Sequence, residues 1–164
     1  MTIGQSLIAE FDQEMTTTRK LLERVPSEKG DWKPHPKSFC LAHLAQLVSI
    51  MPGWITNTLT QPELDIGGPG GYTKESTATL LQGFDKNVRE ARAALSAVTD
   101  ADFALPWSLK KGSQVLWTAP RTVVVRSHIS HLSHHRGQLT VYLRLLDVPI
   151  PSIYGPSADE NPFA

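Results

Sequence analysis

A single cysteine, Cys40, stands in 164 residues, so no internal disulfide braces this fold. No run approaches the ~18 apolar residues a membrane span needs. No charged segment followed by an apolar one opens the chain, so no secretory leader is expected. Charge of one sign is missing as well. Lys plus Arg and Asp plus Glu each total 16, without a basic cluster, which argues against a nucleic-acid partner. The Gly-rich stretch "GGPGGY" (67–72) lacks a strand before it and a Lys after it, so it does not read as a phosphate loop. A Ser-His-Asp set, internal repeats and low-complexity segments are absent too. These absences leave one soluble, cytoplasmic domain over residues 1–164, long enough to bury roughly 70% of its unfolded surface.

What is present is helical periodicity, in four segments with apolar residues three and four apart. The first carries Ile8, Phe11, Met15, Leu22 and Val25. The second carries Leu41, Leu44, Val48, Met51 and Ile55, with Pro52 expected to kink it. Leu81, Phe84, Val88, Ala91, Leu95 and Val98 mark the third, and Val125, Ile129, Leu132, Leu139, Leu143 and Leu146 the fourth. Residues 26–38 and 60–76 hold enough Pro and Gly to read as long loops. "ALPWSLKKGSQVLWTAPR" (104–121) suggests a short β-hairpin about a Lys-Lys-Gly turn. The Pro-rich tail after Pro149 should be extended. Four helices that each bury one stripe predict an all-α, four-helix bundle.

Imidazole is concentrated near the end of the chain. Four of six histidines fall between His128 and His135. His131 and His135 sit one turn apart and about 40° from each other around a helix, a spacing at which both can reach one ion. His128 falls on the same side, whereas His134 points away. Val124, His128, His131, His135, Gln138 and Tyr142 form a flank beside the apolar stripe. His43 lies on a comparable flank of the second helix, with Leu47, Ile50 and Trp54. If the two flanks face each other, His43, His131 and His135 converge. Three histidines with an open position suit a catalytic divalent ion, zinc or nickel. The plainer readings are a chance His-x-x-x-His pair and a His43 bonded to a backbone carbonyl.

"HLSHHRGQLTVYLRLLDVPIPSIYGPSADE" (131–160) resembles the C-terminal signature of the DinB/YfiT-like superfamily, DNA-damage-inducible proteins unrelated to the similarly named polymerase. "DWKPHPKSFCLAHLAQLV" (31–48) is similar to its other landmark, a Trp-Pro loop leading into a helix whose His is the first ligand. The resemblance covers nearly the whole chain and implies an up-down-down-up bundle. It also implies a divalent metal, zinc or nickel, on His43, His131 and His135, and a homodimer. Characterised relatives include transferases and isomerases that use a low-molecular-weight thiol such as bacillithiol or mycothiol; others are described as metal-dependent hydrolases.

Other residues carry expectations of their own. Arg136 falls on the apolar stripe and should tie a loop or the tail to the bundle through a carboxylate or carbonyl. Gly137 within a helix suggests the close approach of another backbone. Cys40, one turn before His43, reads as a small buried residue or else a metal-side thiol. Trp32 and Trp54 should lie near the second helix and its cleft. No general base is evident, and no protein nucleophile. The readings therefore compete: a metal enzyme acting on a small molecule by hydrolysis or thiol transfer, a non-catalytic binding protein of the stress response, or a purely structural bundle.

Overall fold

A computed structural model describes residues 1–163. α1 (Ile3–Leu22) starts at Thr2, whose hydroxyl accepts from the Gln5 amide while the Gln5 side chain accepts from Thr2 N–H, a reciprocal cap. α2 (Leu41–Thr60) follows a 3-10 turn at Ser27–Lys29 and runs on through Pro52 to Thr60. Ser76 caps α3 (Thr77–Ala97), and Thr99 caps the short α4 (Asp100–Ala104) together with Asp102. α5 (Arg121–Leu145) begins directly after Pro120. It ends on Asp147 in the left-handed region (φ 58°), where the Val148 and Asp147 amides donate to the Leu143 and Arg144 carbonyls.

Among the described residues the chain is mostly helical, with these five helices and one small sheet. β2 (Pro106–Lys111) and β3 (Gln114–Pro120) form the expected antiparallel hairpin. Gly112 turns it at φ +59°, a conformation an L side chain rarely adopts, at the first central position of a two-residue turn. The sheet also has a member the sequence reading placed in a loop. β1 (Glu63–Asp65) pairs in parallel with β2, giving the order β1-β2-β3, so a strand does precede the Gly-rich stretch. Three residues flanked by Pro and Gly are too few to show a period.

The four long helices share one core. Phe11 and Met15 come from α1, Leu44, Val48 and Met51 from α2, Phe84 and Leu95 from α3, and Ile129, Leu132 and Leu139 from α5. Each such side chain contributes on the order of 1.5–3 kcal/mol when fully removed from water. α1 and α3 approach closely at Gly4, where an added Cβ would lie 2.5 Å from the Leu95 carbonyl oxygen. The tail after α5 is packed, not loose. Asp159 accepts from Arg144 and from the Ile150 amide, and Glu160 from Arg24 and the Ser152 amide. No helix of the described residues is long and apolar enough to cross a membrane.

Candidate metal centre

α5 presents two polar faces, and the histidine flank is the open one. His131 and His135 are brought together as the spacing requires, their Nε2 atoms 2.9 Å apart. Gln138, one turn further on, lies 2.8 Å from His135 Nδ1 through its amide oxygen, while its amide nitrogen donates to His134 Nε2. The amide orientation assigns a proton to His135 Nδ1, since an amide oxygen only accepts. That leaves the His135 Nε2 lone pair free to accept, the state a metal ligand needs. Burial, then the neighbouring His135 and His134, hold the His131 imidazole below its ordinary pKa of 6.5, which keeps it neutral near pH 7.

His43 is placed differently. Its ring stacks on Tyr72 at 4.8 Å and an 8° interplanar angle, and on Phe39 at 4.1 Å. Phe39 also lines, with His135, Gln138 and Tyr142, a cavity of about 220 Å³. The Tyr142 hydroxyl donates to the Phe39 carbonyl, and Trp32 packs edge-on against the Tyr142 ring. Phe39 is thus common to the surroundings of His43 and of His135. Among the described residues no three His, Cys, Asp or Glu side chains lie close enough to hold one ion. The donors nonetheless suit an ion in part. Two imidazoles on tetrahedral zinc, at Zn–N of about 2.0–2.1 Å, hold their nitrogens about 3.3 Å apart, and the pair stands within a few tenths of an ångström of that.

His128 lies half-buried on the same flank, its Nε2 3.1 Å from the Thr58 hydroxyl. Burial, with a smaller effect of His131, lowers its pKa from 6.5 to about 4. Trp54 of α2 lies 5.7 Å from both the His128 and the His131 ring. Cys40 is buried at the start of α2, as a small apolar residue would be. Beside His128 and His131 opens a second cavity of about 260 Å³ between α2, α5 and the sheet. Trp54, Trp107 and Trp117 wall it, with Leu64 and Leu109 between them and Ile66 at its rim. Trp107 and Trp117 were missed as site residues in the sequence. Their signal is the period of two in Trp107–Leu109 and in Trp117–Ala119, which puts each pair on one face of a strand and, in the register Trp107↔Ala119 and Leu109↔Trp117, on the same face of the sheet.

The other face of α5 is closed. Arg136, 2% exposed, donates to the Glu14 carboxylate at 2.6 Å, the Glu14 carbonyl and the hydroxyls of Thr17, Thr18 and Tyr154. The Tyr154 hydroxyl donates in turn to Glu14. This is the anticipated tie between bundle and tail. Gly137 departs from expectation: an added Cβ would meet nothing within 4 Å, so no backbone approaches there.

A model of the DinB family matches residues 1–161. The chain belongs to the DinB family. Two solved DinB-like proteins share the DinB fold of this chain. One, from Bacillus cereus ATCC 10987, has a TM-score of 0.71 at 22% identity, with 92% of this chain and 97% of that one covered. The other, YjoA from Bacillus subtilis, has a TM-score of 0.70 at 16% identity, with 90% and 97% covered. In sequence, 32 residues are 50% identical to YrdA of Bacillus subtilis (strain 168), described as uncharacterized. The stretch spans 20% of this DinB chain and 19% of that protein's length.

Proposed function

We propose that this DinB protein holds one divalent ion, zinc or nickel, on His131, His135 and His43 of an up-down-down-up four-helix bundle, and acts on a small molecule as a hydrolase or thiol transferase. The observation that carries the reading is the 2.9 Å approach of the His131 and His135 Nε2 atoms, with Gln138 holding the His135 tautomer. As neutral imidazoles the two share one hydrogen bond, His131 Nε2–H donating to His135 Nε2; with the His131 proton moved to Nδ1, both Nε2 lone pairs would be available to a shared cation. His43 completes the set by leaving its stack on Tyr72 and Phe39.

A bound divalent ion supplies Lewis acidity, lowering the pKa of a water or thiol placed on it. The chain does the rest. Gln138 fixes the His135 ring, Trp54 packs on His131, and Tyr142 anchors the Phe39 backbone. Among the described residues neither adjoining cavity has an Asp or Glu in its walls to act as a general base. That favours a thiol carried in as nucleophile over hydrolysis, and it is also the observation behind the alternative, a non-catalytic ligand-binding protein.

Plasma mass spectrometry of untagged protein tests the reading. About one zinc or nickel per chain, lost in both His131→Ala and His43→Ala, is expected. No metal after reconstitution would overturn it. Thiol-conjugation and ester-hydrolysis assays on the loaded protein then separate enzyme from binder.

A further inference from the structure

We infer that the tryptophan-walled cavity is a binding site for an uncharged, flat aromatic molecule of about two fused rings, held with one edge against His131. Size sets the first limit. An apolar cavity of about 150 Å³ stays dry and holds a single benzene ring. The 260 Å³ here leaves room for a second ring. Chemistry sets the next. Trp54, Trp107 and Trp117 offer aromatic faces and edges, with Leu64 and Leu109 filling in between. No Asp, Glu, Lys or Arg is among the wall residues described, so an ion entering would lose its hydration without a partner.

The imidazoles do not change this. His128 already shares its Nε2 with Thr58, and the Nε2 of His131 is engaged with His135. The rim points the same way. Ile66 and Trp117 are 51% and 39% exposed, apolar surface that a planar guest would cover. His131 belongs to the cavity wall and to the histidine pair alike, so the guest's inner edge lies beside the paired nitrogens. That last clause rests on the proposed metal site; binding in the cavity does not.

The test uses 2-naphthol, uncharged at pH 7, and the ¹H–¹⁵N signals of the four indole groups, assigned with single Trp→Phe variants. Chelator-treated and zinc-incubated proteins are titrated in parallel. The signals of Trp54, Trp107 and Trp117 are expected to shift saturably in both, while that of Trp32, packed on Tyr142, stays still. In chelated protein, 2-naphthalenesulfonate, of the same shape but charged, should bind at least tenfold more weakly. Ile66→Glu, at the exposed rim, should weaken 2-naphthol at least tenfold with the Trp32 signal unmoved.

No saturable shift of the three indoles in either form overturns the inference, as does equal binding of the sulfonate or an unaffected Ile66→Glu. The two readings fail separately. Naphthol binding without any bound metal removes the proposed centre alone, and metal bound on the histidines without naphthol binding removes the cavity assignment alone.

Discussion

The two polar faces of α5 are treated in opposite ways. Towards α1 and the tail, Arg136 makes hydrogen bonds to Glu14, Thr17, Thr18 and Tyr154 and lies beneath the Tyr154 ring, 5.1 Å from its centre. Towards α2 and the sheet, His131 and His135 pair mainly with each other. There Trp107 Nε1 is buried without a partner, its ring edge-on to His128. A buried charge survives only when its partners are supplied in full. A face kept ready for something else is left incomplete. One face is built for stability, the other for a guest.

The largest effect should come from the closed face. Arg136→Ala leaves the Glu14 carboxylate buried without its cation, and loss of about 3–5 kcal/mol is expected in chemical denaturation. A loss below 1 kcal/mol would mean that the two faces do not differ in kind.

Acid should act on the open face. The unfolded chain protonates His128 as pH falls through 6.5, whereas the folded chain resists until about 4. Stability should therefore fall across that window, by roughly 3 kcal/mol from this group. His128→Gln, which keeps a partner for Thr58, should remove that part of the pH dependence; an unchanged profile would discard the assignment.

Added zinc sharpens the contrast at the next level. At 100 times its dissociation constant a bound ion stabilises by about 2.7 kcal/mol. The melting temperature should therefore rise with zinc in wild type and in Gln138→Ala at higher zinc, but not in His135→Ala. The smallest change expected is a gain. Gly137→Ala, with open space about the new methyl, should stabilise α5 by up to ~1 kcal/mol. A loss instead would show that another surface covers Gly137 in solution.

The sequence was most legible where one period ran long. Val125, Ile129, Leu132, Leu139 and Leu143 are buried as their spacing required, and so are Leu41, Leu44, Val48, Met51 and Ile55. The DinB membership and the pairing of His131 with His135 were readable for the same reason, since both lie within one helix. Arg136 could be read because a guanidinium on an apolar stripe has few possible fates. The strand β1 could not, because its order comes from β2, more than 40 residues away. The cavity also escaped notice, as its walls come from α2, the sheet and α5 together. Where His43 faces depends on Phe39 and Tyr72, loop residues whose packing no periodicity foretells.

The Arg136 clamp has a consequence in time as well as in space. Glu14 lies 122 residues before Arg136 and 140 before Tyr154. As the chain grows from its amino end, α1 must keep that carboxylate solvated until almost all of the later helices exist. Its counter-charge and its hydroxyl cover both arrive last. Contacts this distant in sequence slow folding, since a long loop must close before they form. A chain halted before Tyr154 would therefore be left with an open seam along α1, the first surface a chaperone or protease would find.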